Sequence, residues 1–472
     1  MARLRRSDLR QRWGGAAAVL LAILALAATL RFVGIDYGLP YPLLNPDEQT
    51  IVPRAWAMVH GGGPNPHWFN YPTLVMYLLA PFQAWHPDPT YLDARIVIAL
   101  IGVGAVAATW WLGRRAYGTV AAAIAAAVVA VETTHVAYSH MAVTDVPLTL
   151  GIAAALALMV SGRIELAGLV AGLAMAAKWP GVMLIVPLVA AAWSQWRRLA
   201  AAVGLGAAAF LVASPFVVVD YRTAASDAWN TQNIHHTGWL GFEDDGISLV
   251  GFLHRLWSGM GPVLAIAALG LVLALFARRR PDVILASFVL VYFLNLLTLK
   301  SHFDRFVLPL VPPLGALAGR VRFLAPVTAG LLVFPLVWSI QKDIRLTRTD
   351  TRIEALAWIE QHLPAGAKVA AESSTPPLRG FDIVPLQLPG PGRSFDRNRD
   401  VRRLERDGVE YVFVTGVVAD RVLAARSNYP REARFYDDLA ATTKREYYAR
   451  AGDDLSGPWV AVYRLSPAAT GA

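Results

Sequence analysis

Long apolar stretches recur between residues 20 and 338, and they constrain the fold more than any other feature of this sequence. A stretch of about 20 apolar residues can cross the hydrocarbon core of a bilayer as a helix. Only 16% of the residues are charged, whereas a soluble protein carries about 25%. The sequence therefore predicts a polytopic α-helical membrane protein with about eleven spans, all of them within a first domain at residues 1–340.

The net charge of +9 could suggest a nucleic-acid partner, but its distribution argues against one. Much of the basic charge lies at the N-terminus and in short turns between predicted spans, which is the positive-inside pattern of membrane proteins. These residues are Arg3, Arg5, Arg6, Arg10, Arg12, Arg114, Arg115, Arg197, Arg198, Arg278, Arg279, Arg280, Arg320 and Arg322. The charge thus indicates topology and no nucleic acid, and it predicts that the loop at residues 34–93 lies outside. The absence of cysteine excludes disulfides and a cysteine nucleophile.

Composition changes after residue 340, where charged residues become frequent and long apolar runs end. The pattern predicts a helix at 353–363 and strands at 367–372, 411–415 and 459–465. We therefore expect a small soluble α/β domain at residues 341–472. An odd number of spans would place this domain outside, on the same side as the 34–93 loop.

That outer loop contains the sequence Asn45-Pro46-Asp47-Glu48, directly after the first apolar stretch. Carboxylates at the mouth of an apolar bundle are costly unless they are used or paired. We predict that Asp47 is a general base, which requires an acceptor hydroxyl within hydrogen-bond reach, and that Glu48 orients it or pairs with a cation. The alternative for Asp47 is an N-cap of the helix that follows. The apolar segment 71–85 is too short for a span and is predicted to lie at the interface.

Further polar residues fall on the same predicted side of the membrane. Asp145 is a second catalytic candidate, although an N-cap of the helix beginning there is about as plausible. Lys178 and Arg305 could bind a lipid phosphate, or they could be cations that extend from span ends to the interface. The remaining candidates are His302 for phosphate binding, and His67, Asn70, Tyr71 and His140 for a donor or acceptor groove. The pair His235-His236 near Glu243-Asp244-Asp245 could bind metal, but its spacing is not diagnostic and favours a solvated loop.

Several motifs occur in an order that resembles the C-type membrane glycosyltransferases, and they cover the chain to about residue 340. The branch they resemble is the group of protein O-mannosyltransferases and lipid A aminoarabinose transferases, which is family 39-like. The motifs are Pro46-Asp47-Glu48, Asn70-Tyr71-Pro72-Thr73-Leu74, Ala94-Arg95 through Gly113-Arg114-Arg115, Ser139 to Pro147, Ala177-Lys178-Trp179-Pro180-Gly181, and Arg305-Phe306 through Pro312-Pro313.

The resemblance implies a C-type fold and a single inverting displacement at the anomeric carbon of a polyprenyl-phosphate sugar. It assigns Asp47 as the base and Arg305 as the contact to the lipid phosphate. The chain departs from the aminoarabinose transferases at Tyr71-Pro72, where they have Lys-Pro, and it lacks the large luminal domain of eukaryotic protein mannosyltransferases. A divalent cation is the only cofactor that the sequence leaves open.

We therefore expect a membrane glycosyltransferase that moves a hexose or pentose from a polyprenyl-phosphate donor to an acceptor hydroxyl. The acceptor could be protein, lipid or polysaccharide. The expected location is the plasma (inner) membrane, with the active site and the C-terminal domain outside the cytoplasm. The main alternative is a transporter or flippase of a lipid-linked saccharide, which would carry midplane charges and repeat symmetry. A catalytically inactive scaffold is a third alternative.

Overall fold

The computed structural model describes residues 6–243 and 245–466. Arg3, Arg5 and Asp244 of the patterns above lie outside the described residues. The α-helices are α1 Arg6–Phe32, α2 Glu48–Val59, α3 Leu74–Gln83, α4 Tyr91–Tyr117, α5 Thr119–Val131, α6 Thr133–Ser139, α7 Asp145–Val160, α8 Ile164–Ala177, α9 Ile185–Ala192, α10 Trp196–Ala213, α11 Phe216–Val219, α12 Tyr221–Thr237, α13 Ser248–Met260, α14 Val263–Ala277, α15 Arg280–Leu296, α16 Val311–Arg320, α17 Ala325–Leu331, α18 Val333–Leu346, α19 Thr351–His362, α20 Val401–Arg406, α21 Gly416–Ala424 and α22 Pro430–Thr442. Three 3₁₀ segments are Trp179–Leu184, Asp304–Leu310 and Arg322–Leu324.

Most of the chain up to residue 346 is a bundle of apolar helices around one large core. In the described part of the chain, four helical segments are long and apolar enough to cross a membrane, or up to six if each bent pair forms one span. The two bent pairs are α5 with α6, at 58°, and α13 with α14, at 116°. Other apolar helices are shorter, such as α7 and α8. The membrane class is thus supported, whereas the predicted count of about eleven spans is not confirmed.

Glycines allow two of these helices to approach each other closely. A Cβ atom at Gly168 of α8 would lie 2.1 Å from the carbonyl oxygen of Ala202 in α10. At Gly172 the corresponding distance, to the carbonyl oxygen of Gly206, would be 2.0 Å. Small residues at such contacts let helix backbones pack directly, which is a common way to hold helices together in membranes.

The predicted interfacial segment is a short helix, α3, which packs against α2 and α4. Its buried side chains, among them Val75 and Leu79, share a small core with Ile51 and Val52 of α2. This second core holds the outer loop against the bundle and thereby fixes the position of the residues before α2.

The C-terminal region contains a five-stranded sheet in the order β3-β2-β4-β7-β5. The strands are β1 Thr349–Asp350, β2 Lys368–Glu372, β3 Asp382–Leu386, β4 Tyr411–Thr415, β5 Lys444–Ala449, β6 Leu455–Ser456 and β7 Val460–Arg464. Strand β2 is parallel to β3 and β4, β7 is antiparallel to β4 and β5, and β1 pairs separately with β6. The observed helix α19 and strands β2, β4 and β7 lie where the sequence pattern predicts them.

The two faces of the sheet pack against different helices, because successive side chains of a strand point in opposite directions. In β4, Val412 and Val414 belong to the core covered by α20, α21 and α22, whereas Tyr411 and Phe413 belong to the core beneath α19. Helices therefore cover both faces of the sheet. The parallel strands β2 and β4 both end at the same end of the sheet.

Candidate functional site

The predicted base, Asp47, lies at the start of α2 and faces a cavity. Its Oδ2 accepts hydrogen bonds from Arg305 Nη1 at 2.5 Å and from the Tyr71 hydroxyl at 2.9 Å. Its side chain makes no capping hydrogen bond to α2, so the N-cap alternative does not describe its contacts. No hydrogen bond from a described residue reaches the other carboxylate oxygen, Oδ1.

Burial and charge act in opposite directions on this carboxyl group. Burial alone would raise the pKa of Asp47, but the charges of Arg305 and Lys178 and the hydrogen bond from Tyr71 outweigh it and leave the pKa below its usual value. The ionised carboxylate therefore persists at neutral pH. Its contribution to stability is present above the unfolded pKa of about 3.9 and is lost as the pH falls through the lowered folded value.

Behind Tyr71, a second ion pair joins two other predicted site residues. Lys178 Nζ donates to Asp145 Oδ1 at 2.5 Å, and both side chains are buried. The ammonium lies 5.3 Å from the centre of the Tyr71 ring and 5.6 Å from that of Phe306. The structure thus brings Asp47, Tyr71, Asp145, Lys178 and Arg305 into one cluster, although Asp145 and Lys178 do not line the cavity itself.

Glu48, the residue next to the predicted base, has a different environment. Arg95 Nε and Nη2 donate to its two carboxylate oxygens at 2.8 and 2.9 Å, and the backbone N–H of Ala142 donates to Oε1 at 2.9 Å. Both members of this ion pair are completely buried. Glu48 therefore pairs with a cation, which is one of the two expected roles, and it has no access to the cavity.

Two predicted groove residues lie away from the cavity. His67 is exposed, with Nδ1 3.5 Å from Asp220. His140 is buried, and its ring nitrogens contact the carbonyl oxygens of Val136 and Val33 at 2.9 Å each. These contacts give His140 a structural place at the end of α6, and the expected groove role of both histidines has no support in this geometry.

Other polar residues do line the cavity. Asn70 and Tyr71 contribute from the loop before α3, as expected. His302 also lines it, with its ring nitrogens 3.2 Å from Asp245 Oδ2 and from Ser248 Oγ. His235 packs edge-on against the ring of Phe306, and burial lowers the pKa of His235 to about 4, so this imidazole is neutral at physiological pH.

The cavity has a volume of about 1080 Å3 and lies between the helical bundle and the C-terminal region. Its wall on the bundle side carries Asp47 and Arg305. The second wall comes from the end of the sheet at which β2 and β4 terminate, and it includes Ser374, Val418 and Gly457. The sequence pattern contains no signal for this second wall, because its residues belong to a region without a recognisable catalytic motif.

Two further polar residues at the cavity were not predicted as site residues. The Tyr138 hydroxyl donates to Asp304 Oδ1 at 2.8 Å, which holds the residue that precedes Arg305. Asp343 lines the cavity but is buried, and neither of its carboxylate oxygens has a hydrogen-bond partner among the described residues. Its Oδ1 lies 3.9 Å from His140 Nε2. Tyr138 stands in the polar segment after α5, whereas Asp343 lies in a charged run after a predicted span and gives no separate signal.

The described residues include no group of three or more His, Asp or Glu side chains placed to hold a metal ion. Asp245, from the acidic run considered as a metal site, instead pairs with Arg255 at 2.8 Å. His236 contacts the carbonyl oxygen of Thr298 at 2.8 Å.

Residues 68–300, just under half of the chain, match the model of Glycosyltransferase family 87. No curated protein sequence matches the chain. Among solved structures, the chain resembles apo ArnT from Cupriavidus metallidurans, with a TM-score of 0.59 and 18% identity over 95% of this chain and 98% of that one. It also resembles the same ArnT bound to undecaprenyl phosphate, with a TM-score of 0.54 and 18% identity over 94% and 97% of the two chains.

A third similar structure is the oligosaccharyltransferase of Archaeoglobus fulgidus tethered to an acceptor peptide, with a TM-score of 0.58 and 13% identity over 96% of this chain and 74% of that one. These identities are low, so the structural likeness concerns the fold. The resemblance to C-type membrane glycosyltransferases is confirmed, and the matching family model is that of family 87 where the motifs suggested a family 39-like group. The chain thus has the C-type fold of membrane glycosyltransferases, and its segment 68–300 carries the pattern of glycosyltransferase family 87.

Proposed function

We propose that this protein is an inverting glycosyltransferase that moves a sugar from a polyprenyl phosphate to an acceptor hydroxyl at the outer face of the membrane. The observation that carries the proposal is the pairing of Asp47 with Arg305 at the wall of the cavity. A base and a phosphate-binding cation in direct contact are the two groups that such a transfer requires.

Asp47 acts as the base. One of its oxygens is held by Arg305 and Tyr71, while Oδ1 accepts no hydrogen bond from a described residue and can receive the acceptor proton. The acceptor oxygen forms a bond to the anomeric carbon as the bond from that carbon to the phosphate oxygen breaks. The proton passes to Asp47, the lipid phosphate leaves with the bonding electrons, and the anomeric configuration inverts.

Arg305 binds the donor phosphate. A guanidinium presents a planar set of donors that matches phosphate oxygens and neutralises the charge of the leaving group. Lys178 lies behind Tyr71 and adds positive charge, and Asp145 holds its ammonium in place. Since one ArnT structure holds undecaprenyl phosphate and an archaeal oligosaccharyltransferase structure holds dolichol-phosphate, a polyprenyl-phosphate donor suits this fold.

The topology that accompanies this function follows the charge pattern of the sequence. About eleven spans, a catalytic loop at 34–93 and an α/β domain at 341–472 would place Asp47 and the C-terminal sheet outside the cytoplasm. The donor sugar would be a hexose or a pentose. Within this arrangement we assign Glu48 a structural role, because its buried pair with Arg95 anchors the start of α2.

The test is sugar transfer from radiolabelled polyprenyl-phosphate mannose, glucose or arabinose to acceptors in a membrane extract. Wild-type protein should transfer one of these sugars, and Asp47→Asn should lower turnover by roughly a hundredfold or more while donor binding persists. Arg305→Ala should weaken donor binding. The matched control is Asp36→Asn, which alters an exposed carboxylate of the same loop that does not line the cavity.

Two results would overturn the proposal. If wild type and all variants release no sugar from any donor, the alternative of a lipid-linked saccharide transporter becomes the better explanation. If Asp47→Asn keeps full turnover, the base must be another residue.

A further inference from the structure

The cavity carries more positive than negative charge. Among the described residues, six cationic and three acidic side chains line it. The acidic ones are Asp47, Asp304 and Asp343, and the cationic ones are Arg255, Arg305, Lys342, Arg345, Arg352 and Arg421. Arg305 is only one of these six cations, so a donor phosphate held by Arg305 leaves the partners of the other five to be identified.

Half of these cations are already paired. Arg305 pairs with Asp47, Arg255 with Asp245 at 2.8 Å, and Arg352 with Asp350 at 2.6 Å. The other three cations, Lys342, Arg345 and Arg421, are exposed, and their side chains make no hydrogen bond or ion pair with any described residue. Acidic charge is nevertheless close to two of them, since Asp343 interacts electrostatically with Lys342 and Glu243 with Arg421. We call these three residues the rim cations.

The rim cations stand on both walls of the cavity. Lys342 and Arg345 lie in the last turns of α18, while Arg421 lies in α21, which begins directly after β4. Cations that serve only to contact lipid headgroups would be expected at one level, along the ends of spans. Arg421 belongs instead to the C-terminal region, where its side chain packs beside Gly241.

We propose that the rim cations bind an anionic group, a carboxylate or a phosphate, carried by the acceptor. This inference rests on the proposed function and deepens it, because it assigns the acceptor to a charged class. Cations on both walls of a cleft attract an anionic substrate from solution and fix its orientation. The acceptor hydroxyl then faces Asp47, while the anionic group stays near the entrance.

A binding measurement tests the charge preference without requiring turnover. Purified protein in phosphatidylcholine nanodiscs is titrated with 4-methylumbelliferyl β-glucuronide and with the β-glucoside, which differ only at C6, where a carboxylate replaces the neutral hydroxymethyl group. Mannose 6-phosphate and mannose form a second matched pair. We expect at least one anionic probe to bind about tenfold more tightly than its neutral partner, a difference of one charge-assisted contact.

The triple variant Lys342→Gln, Arg345→Gln, Arg421→Gln should abolish this preference. Arg379→Gln is the matched control, since Arg379 is an exposed arginine of the C-terminal region that does not line the cavity. The proposal is overturned if wild type prefers neither anionic probe, or if the preference persists in the triple variant. It is also overturned if the triple substitution leaves the affinity for every probe unchanged and weakens only the association of phosphatidylglycerol with the protein in mixed-lipid nanodiscs, because the rim cations would then contact membrane lipid.

A transfer measurement separates this inference from the proposed function. Acceptors from a membrane extract are divided by anion exchange into a retained and an unretained pool. Label should enter the retained pool, with a KM for acceptor about tenfold higher in the triple variant and kcat nearly unchanged. Label in the unretained pool alone would refute the inference while leaving the glycosyltransferase function intact. Absence of transfer in every pool would refute the function, and the binding preference would still be decided by the probes.

Discussion

Replacing Glu48 with glutamine tests whether this carboxylate holds the structure or takes part in chemistry. Glu48 accepts two hydrogen bonds from Arg95 and one from the backbone of Ala142, and neither side chain of the ion pair is exposed. Glutamine preserves the shape but leaves the guanidinium buried without a counter-charge. Loss of one partner of a buried pair costs about 3–5 kcal/mol, a large share of a typical total stability of about 5–15 kcal/mol.

The assay is thermal unfolding in nanodiscs, combined with turnover per folded molecule. We expect Glu48→Gln to lower Tm by roughly 5 °C or more, while the molecules that remain folded keep most of their turnover. Glu165→Gln is the matched control, because Glu165 pairs with Arg198 at the surface, where 37% and 41% of the two side chains are exposed, and exposed pairs contribute little.

A different pattern would refute the reasoning. If Glu48→Gln unfolds at the temperature of wild type and yet loses transfer, Glu48 acts on the substrate and its ion pair is not its main role. If Glu48→Gln lowers Tm no more than Glu165→Gln does, the buried ion pair contributes little to stability and the structural account fails.

Three further outcomes follow from the described contacts. Tyr71→Phe removes a hydrogen bond that helps to keep the pKa of Asp47 low. The acidic limb of the profile of kcat/KM against pH should therefore move to higher pH. If this limb does not move, a group other than Asp47 titrates there. Gly172→Ala should lower Tm by several degrees, because its Cβ would lie 2.0 Å from a carbonyl oxygen of α10. The control Gly204→Ala meets nothing within 4 Å and should leave Tm unchanged. Equal Tm values for the two variants would contradict the close contact between α8 and α10. Glu372 pairs with Arg399, and both side chains are completely buried. Glu372→Ala leaves the Arg399 guanidinium without a counter-charge and should lower the free energy of unfolding by about 3–5 kcal/mol in denaturant; a change much smaller than this would contradict the importance of the pair.

The sequence predicts the large features of this fold because they depend on local pattern. Apolar runs identify the bundle, the run 71–85 is too short for a full span and contains the short helix α3, and alternation predicts β4 at 411–415. The span count is harder to predict, because several apolar segments are shorter than a full crossing and two are bent. Whether a bent pair crosses once depends on tertiary packing that no local window contains.

The candidate site shows the same division. Polar residues next to spans indicate where Asp47, Asp145, Lys178 and Arg305 would gather, and the structure brings them together. It also gives the two adjacent carboxylates different environments, since Asp47 faces the cavity while Glu48 is buried against Arg95. Successive residues of a helix point about 100° apart, so which of two adjacent carboxylates meets solvent depends on helix rotation, and that is set by distant contacts.

The separation of Asp47 and Arg305 along the chain has a consequence for how the protein is made. The two residues are 258 positions apart, and at about 5–20 residues per second the ribosome would deliver the arginine roughly 10–50 s after the aspartate. During that interval the carboxylate has no guanidinium partner and must remain hydrated. The far wall of the cavity, which includes Gly457, is translated later still. A nascent chain thus carries no complete site, so the cavity cannot act on a substrate until the residues of that far wall have been translated and folded.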